Sequence, residues 1–229
     1  MNHPIILHIE TSTNVCSVAL SENETCIFTK SNADGMNHAA LLSVFIAEAL
    51  EVMKKEGKKL DAIAVSSGPG SYTGLRIGVS TAKGLCYGYD IPLIAVSTLE
   101  VLTAQALKSI DKLENVLFCP MIDARRMEVY AAFYNEKKEI RREISADIID
   151  TESYAEILAN QPVYFFGNGA EKCKTTLTHS NAHFIDNLVP LAENMIQFAE
   201  KAYIENNFVD VAYFEPFYLK EFQTTTPKK

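Results

Sequence analysis

The chain has 229 residues, of which 48% are hydrophobic and 22% are charged. This composition is typical of a folded globular protein and excludes the disordered, fibrous and disulfide-rich classes, because it supplies enough apolar surface for a core. The 29 acidic and 21 basic residues give a formal net charge of −8. An acidic surface repels phosphate backbones, so we expect no unaided binding to nucleic acid.

Targeting signals and cysteine pairs are not expected. The N-terminus has no cationic stretch, and its apolar run at residues 5–7 is interrupted by His8, which predicts that there is no signal peptide. No window reaches about 18 uninterrupted apolar residues, so we also expect no transmembrane helix, no membrane contact and a cytoplasmic protein. The five cysteines are odd in number and never spaced Cys-x-x-Cys, which favours buried free thiols.

The first third of the chain predicts three strands and a helix. Short apolar runs separated by polar turns predict strands at residues 5–9, 16–20 and 25–29. Residues 37–53 have a helical pattern in which nearly every position is apolar. A helix that is apolar all round is expected to be buried on two sides.

Strands and helices alternate along the rest of the chain, with a strand at residues 60–66 and a glycine-rich loop at 67–74. The later elements, predicted from periodicity and turn residues, are a helix at 73–87, a strand at 91–96, a helix at 98–110, strands at 116–122 and 128–134, a charged turn at 135–142, a helix at 153–159, a strand at 163–166, a loop at 167–169, a helix at 171–177, a strand at 183–186 and a helix at 190–206. We expect the apolar tail 214–220 to dock and residues 224–229 to fray.

This order predicts an α/β protein in which mixed sheets are flanked by helices. We expect two lobes of one body. Residues 1–106 form the first lobe, and residues 107–229 form a second, smaller lobe that carries the C-terminal helix and the docking tail.

The glycine-rich loop has two interpretations. It lies between a strand and a helix, where backbone N–H groups and the helix dipole favour an anion. It is not a P-loop, because no Gly-Lys-Ser/Thr follows. It is not the dinucleotide-binding fingerprint Gly-x-Gly-x-x-Gly either, because the third glycine, Gly74, lies one residue further along the chain than that pattern requires. The alternative is a tight turn whose glycines allow close backbone packing.

The following helix has little side-chain bulk along one side, at Gly74, Gly78, Ala82 and Gly84. Each glycine costs roughly 1 kcal/mol relative to alanine in a helix, so another element is expected to approach closely. Packing on the sheet and contact with a helix of another subunit both remain open.

Two turns carry groups suited to phosphate chemistry. Glu10 follows the first strand, and Asp123 follows a strand that opens the second half. In two-lobed phosphotransferases such turns hold a metal–phosphate complex and a general base. Arg125 or Arg126 would contact a phosphate or a partner's carboxylate, or else pair internally with a neighbouring acid.

A metal site is not expected from the histidines. Two histidines four residues apart on a helix are typical of a metal site, but Leu42 occupies the position four residues after His38. His179 and His183 have the spacing, yet the residues between them do not favour a helix.

Several separated segments of the chain together resemble the motifs of one protein family. The segments that carry the resemblance extend along nearly the whole chain, and the glycine-rich one is specific by itself. They are Ile9-Glu10-Thr11-Ser12, Cys16-Ser17-Val18-Ala19-Leu20, Ser67-Gly68-Pro69-Gly70-Ser71-Tyr72-Thr73-Gly74-Leu75-Arg76-Ile77-Gly78, Ala82-Lys83-Gly84-Leu85, Ile122-Asp123-Ala124-Arg125-Arg126-Met127-Glu128-Val129-Tyr130 and Glu215-Pro216-Phe217-Tyr218-Leu219-Lys220. With these segments the chain resembles the TsaB (YeaZ) family of bacterial tRNA threonylcarbamoyladenosine biosynthesis proteins.

The resemblance implies a two-lobed fold of the actin-like, sugar-kinase and Hsp70-type (ribonuclease H-like) class. It also implies a non-catalytic subunit that binds and activates a TsaD homologue, the subunit that holds the metal and transfers threonylcarbamoyl to the adenosine beside the anticodon. A TsaE homologue joins the larger complex. We expect a homodimer when the chain is alone, and contact with tRNA only through the complex. We expect that no cofactor is required, and the binding of ATP or ADP at the subunit boundary is left as an open alternative.

On this basis we expect no catalytic residue and no metal ligand in the chain. The expected partner interface consists of His38, Leu41, Leu42, Phe45, Tyr72, Thr73, Arg76, Gly78 and Lys83. The candidate nucleotide- or anion-binding residues are Glu10, Thr11, Ser12, Gly68, Gly70, Asp123 and Arg125. We expect Phe45→Asp or Gly78→Arg to prevent partner binding and to leave the monomer folded. The alternatives are an actin-like ATPase and a glycoprotease-type hydrolase.

Overall fold

Two five-stranded mixed sheets form the centre of the protein, whose computed structural model describes residues 4–35, 37–110 and 114–219. The strands of the first sheet are β1 (Ile5–Glu10), β2 (Cys16–Glu22), β3 (Thr25–Asn32), β4 (Ala62–Gly68) and β5 (Leu93–Ser97). Their spatial order is β3-β2-β1-β4-β5. The meander β1-β2-β3 is antiparallel, whereas β4 runs parallel to β1 and β5 runs parallel to β4.

The second sheet repeats this topology. Its strands are β6 (Leu117–Asp123), β7 (Glu128–Tyr134), β8 (Ile140–Ile148), β9 (Val163–Phe166) and β10 (Ala182–Ile185). The order β8-β7-β6-β9-β10 again places an antiparallel meander beside two parallel strands. The two sheets confirm the predicted fold class, and the repeat makes the end of β6 the counterpart of the end of β1.

Five α-helices in the described residues cover these sheets. They are α1 (His38–Lys55), α2 (Tyr72–Tyr89), α3 (Thr98–Ser109), α4 (Ala155–Asn160) and α5 (Ile196–Ile204). Helices α1 and α2 pack side by side on one face of the first sheet, and α4 packs on the second sheet. Alternate side chains of β1 explain why both faces of the first sheet are covered, since Leu7 joins the core under α1 and α2 while Ile6 joins the core on the opposite face.

Helix α3 lies between the two sheets. Its Val101 packs with Ile94 of the first sheet, and its Leu102 packs with Phe118 and Phe166 of the second. The expected lobe boundary at residues 106 and 107 therefore falls inside a helix that contributes to both cores.

The C-terminal helix requires a correction. Helix α5 and the preceding 3₁₀ helix Ala192–Met195 pack on the first sheet, where Met195 and Ala199 belong to the same hydrophobic cluster as Ile6 and Ala64. Its assignment to the second lobe was wrong, because position along the chain does not decide which sheet a helix covers.

Three other predictions on the later elements also need correction. Strand β8 was missed, since the charged segment after residue 135 indicated only a turn. The helix expected at residues 171–177 is a short 3₁₀ helix, Glu171–Cys173. The helix expected at residues 190–206 is divided into the 3₁₀ turn and α5.

The expected fraying of residues 224–229 lies outside the described residues, as does the start of the chain at residues 1–3. Within the described ranges, none of the helices has the length and hydropathy needed to cross a bilayer.

Candidate functional site

Glu10 ends β1 inside the protein and has no exposed surface. Its Oε1 accepts hydrogen bonds from Ser12 N at 2.6 Å and from Ser66 Oγ at 3.0 Å. Its Oε2 is buried and has no partner in the described part of the chain. Burial raises the pKa of this carboxyl from 4.5 to about 7, against the opposing effect of its hydrogen bonds. Glu10 is therefore partly protonated at neutral pH.

The turn after Glu10 fills the concave side of the glycine-rich loop. Thr11 Oγ1 donates to Gly74 O at 2.8 Å, and Ser71 N donates to Ser12 O at 2.6 Å. A Cβ atom placed at Gly70 or Gly74 would collide with the backbone oxygen of Ser12 or Thr11. The glycines are thus needed for close backbone packing, which is the second of the two interpretations of this loop.

This packing bears on the candidate anion-binding residues of the first half. Glu10, Thr11 and Ser12 are fully buried. Gly68 has a φ of +106° and is covered by the tail, because a Cβ there would lie 2.8 Å from Phe217 O. A ligand has no direct access to these groups in this conformation.

The corresponding turn of the second half is open. Asp123 at the end of β6 is exposed, and its Oδ1 accepts from Arg125 N at 3.0 Å and pairs with Lys172 Nζ. Asn168 Oδ1 accepts a hydrogen bond from Asp123 N at 2.9 Å. Arg125 and Arg126 have positive φ angles of 69° and 48° at the tip of the hairpin. Asp123 and Arg125 are therefore the accessible members of the candidate anion-binding set.

Helix α1 is buried on one face, not on two as its sequence predicted. Residues of this buried face include His38, Leu42 and Phe45, and His38 Nε2 lies 3.1 Å from Val15 O. These three side chains are part of the core, so the prediction that they contact a partner is wrong for this conformation. Leu41 is half-buried, and the exposed face presents Ala40, Val44 and Ala47, with Val44 48% exposed.

Helix α2 carries three of the expected interface residues against the C-terminal tail. Lys83 Nζ donates to Ala212 O at 3.0 Å and to Phe214 O at 3.1 Å. The rings of Tyr72 and Tyr218 are 5.0 Å apart, and the Arg76 guanidinium lies 4.3 Å from the Tyr72 ring centre. The tail thus docks as predicted, along one side of α2.

The remaining expected interface residues of α2 have different environments. Gly78 is buried, and a Cβ there would collide with Thr11 Oγ1, so its placement on the interface is also wrong. Thr73 is exposed. The exposed face of α2 continues through four residues that the expected interface did not include, namely Ser80, Gly84, Tyr87 and Gly88.

A helical-wheel count would have found this face. At 100° per residue, Thr73, Ser80 and Gly84 fall within one sector, between the buried sector and the tail. A Cβ atom at Gly84 would meet no atom within 4 Å. The small residues of α2 therefore form two groups, one packed on the turn after β1 and one open to the outside.

The histidines have local roles where the structure describes them. His8 is buried in β1 with Nε2 2.8 Å from Ser21 Oγ, and burial lowers its pKa from 6.5 to about 3. His183 stacks on Tyr164 with ring centres 5.0 Å apart. No group of three or more His, Cys, Asp or Glu side chains that would suit a metal ion occurs among the described residues.

Comparisons with known proteins agree with this architecture. Residues 33–221 match the model of the family described as TsaD, tRNA N6-adenosine threonylcarbamoyltransferase. The tRNA threonylcarbamoyladenosine biosynthesis protein TsaB of Haemophilus influenzae is 30% identical over 229 residues, which cover 96% of this chain and 95% of that protein. TsaB of Escherichia coli is 30% identical and covers 94% of both chains. TsaB of Bacillus subtilis is 34% identical over 71% of this chain and 70% of its own length.

A solved structure shows the same fold. YeaZ from Pseudomonas aeruginosa superposes with a TM-score of 0.77 at 27% identity, over 96% of this chain and 100% of that one. Similarity in sequence therefore extends along 95% of the Haemophilus influenzae protein and 94% of the Escherichia coli protein, and similarity in structure extends along the whole of YeaZ. The chain carries the domain that the TsaD model describes and belongs to the TsaB family of tRNA threonylcarbamoyladenosine biosynthesis proteins.

Proposed function

We propose that this chain is a non-catalytic subunit of the machinery that adds threonylcarbamoyl to tRNA adenosine, and that it binds and activates a TsaD-type catalytic subunit. Its relatives are named as biosynthesis proteins of this modification, and its match to the TsaD model shows that it shares a domain with the transferase. This shared domain supports pairing between this chain and the transferase.

The observation that carries the proposal is the exposed layer formed by α1 and α2. The two helices lie side by side, and their outer faces present Val44 and alanines on α1 and small residues, including Gly84, on α2. Small side chains allow the backbone of another helix to approach closely and make extensive van der Waals contact. A standard interface needs about 800 Å² per partner, an area to which both helices and the adjoining tail would contribute.

The site after β1 supports a non-catalytic role. A nucleotide-hydrolysing turn needs an accessible, ionised carboxylate beside the phosphate. Glu10 is fully buried and has a raised pKa, and Thr11 and Ser12 beside it are packed under the glycine-rich loop. These features favour a subunit over the alternative of an independent ATPase, and no described cluster favours the glycoprotease alternative.

The wider assembly follows from the same proposal. A TsaE homologue joins the pair, and the α1/α2 layer supports a homodimer when the partner is absent. The net charge of −8 favours contact with tRNA only through the complex. No cofactor is required by this chain, and the exposed Asp123 and Arg125 are the residues that would face ATP or ADP at the subunit boundary. We place the protein in the cytoplasm, where tRNA is modified.

The test replaces an exposed residue of the α1/α2 layer. Val44→Glu introduces a charge at a 48% exposed site, so the monomer is expected to fold while its association with the TsaD homologue weakens by at least about tenfold, the scale of a 1.4 kcal/mol loss. Ile148→Glu is the matched control, since Ile148 is 75% exposed on β8 of the other half. Phe45→Asp and Gly78→Arg are unsuitable because both residues are buried.

Size-exclusion chromatography with light scattering, followed by calorimetric titration, would measure the association. Normal binding by Val44→Glu, or equal losses in both variants, would contradict the assignment of this layer. Binding of the wild type without stimulation of threonylcarbamoyl transfer would contradict the activating role.

A further inference from the structure

A cavity of about 450 Å³ lies away from the α1/α2 layer, where parts of both halves meet. Its walls come from the β2–β3 turn, the end of α3, the β7–β8 turn, the 3₁₀ helix Ala192–Met195 and the start of α5. This volume is near the lower end of the range of small-molecule sites, roughly 300–1,000 Å³. It suits a small metabolite.

Two lysines on its wall have no acidic partner in the described part of the chain. Lys108 Nζ donates to Asn194 Oδ1 at 2.7 Å, and Lys138 Nζ donates to Gln197 Oε1 at 2.6 Å. Partial burial and then the charge of Lys108 lower the pKa of Lys138, which shows that the two ammonium groups repel each other. Other lysines of this acidic protein, such as Lys30 and Lys58, pair with carboxylates.

A buried amide holds Lys108 in position on the cavity wall. Asn194 lines the cavity and is only 4% exposed, and its Nδ2 is buried without a hydrogen-bond partner among the described residues. Because this nitrogen is closed off from the cavity, the positive charge on this side comes from the two lysines, which suits a carboxylate.

Carboxylates occupy another part of the wall. Glu24 and Glu193 line the cavity, and neither forms an ion pair within the described ranges. Cys26 lies close to both kinds of charge. Burial and then the charge of Glu193 raise the pKa of its thiol, whereas the charge of Lys108 lowers it. Two basic and two acidic groups around one small cavity disfavour a polyanion and favour a ligand that carries both charges.

We propose that this cavity binds a small zwitterion of the α-amino-acid class, with the carboxylate at Lys108 and Lys138 and the ammonium group at Glu193 and Glu24. Such a ligand neutralises both sides of the cavity at once. The proposal is independent of the partner role, since the cavity is lined by neither α1 nor α2.

Cys26 provides a direct readout. It is the exposed cysteine, whereas the other four are buried, so a disulfide reagent added to the native protein reports on the cavity. Each standard α-amino acid except cysteine is added singly. A bound ligand at ten times its dissociation constant should slow the reaction of Cys26 about tenfold. N-acetylated amino acids, simple amines and inorganic phosphate each lack one of the two charges and should give no protection.

Variants locate the effect and keep the test independent of folding. Lys138→Met and Glu193→Gln should each abolish protection, and Lys137→Met, next to Lys138 but outside the cavity wall, should retain it. Circular dichroism verifies folding, and Lys108→Met replaces any variant that fails to fold. Protection by no amino acid, stronger protection by phosphate or an N-acetylated compound, or protection that survives in the cavity variants would each overturn the proposal.

Discussion

Glu10→Gln removes a carboxyl whose pKa rises from 4.5 to about 7 in the folded protein. Between these values the folded state binds more protons than the unfolded state, so stability falls as pH rises. The group's contribution is fully present below about pH 4.5 and is lost by about pH 7. A difference of about 2.5 pKa units corresponds to about 3 kcal/mol. No discount for solvent screening applies, because Glu10 has no exposed surface.

Glutamine keeps an oxygen that accepts from Ser12 N and Ser66 Oγ, but it does not ionise. Its amide nitrogen would take the place of the unpartnered Oε2, and an unsatisfied buried donor costs about 1–3 kcal/mol at every pH. The informative quantity is therefore the change with pH. Relative to wild type, the variant should gain about 3 kcal/mol in free energy of unfolding between pH 4.5 and pH 8.

Urea denaturation at a series of pH values gives this free energy, provided that the two proteins have equal m-values. Glu51→Gln removes the same charge from the exposed side of α1 and is the control. A gap between Glu10→Gln and wild type that stays constant from pH 4.5 to pH 8 would refute the reasoning. It would mean that water reaches Glu10 and that the turn after β1 is open in solution.

Two further predictions concern the same half of the protein. Burial lowers the pKa of His8 to about 3, so its contribution to stability is present above pH 6.5 and lost as the pH falls towards 3. Between pH 6.5 and pH 4, wild type should lose about 3 kcal/mol more than His8→Gln in urea denaturation, and equal losses would contradict a buried neutral imidazole. Gly74→Ala places a Cβ against Thr11 O and should destabilise by about 1–3 kcal/mol. Gly84→Ala meets no neighbour and should stabilise by up to about 1 kcal/mol, so equal effects of the two alanines in thermal unfolding would contradict the packing described.

Local patterns predicted most of the first half. Apolar runs with polar turns located β1, β2 and β3, and the glycine-rich segment located the start of α2. Strand β8 was missed because its charged residues suit a solvent-exposed edge strand, which lacks a continuous apolar run. The lengths of the helices expected at residues 171–177 and 190–206 were overestimated, because hydrophobic periodicity does not distinguish a short 3₁₀ turn from a longer α-helix.

The candidate site was predicted less well than the fold. The interface set mixed buried residues, such as Phe45, with exposed ones, such as Thr73. A helix that is apolar on nearly every position does not show which of its faces meets the sheet. The direction of that face depends on how α1 crosses β2, which is a tertiary contact.

The sequence by itself determined the family, the order of the elements and the acidic charge, because motifs and periodicity are local properties of the chain. Only the tertiary structure decided that Gly70 and Gly74 hold the turn after β1, and that α5 covers the first sheet. Only the tertiary structure shows the hydrogen bond between Lys108 and Asn194, which are 86 positions apart in the sequence. The physical reason is that burial, pKa and cavity shape arise from groups distant in sequence, which come together only when the sheets and helices pack.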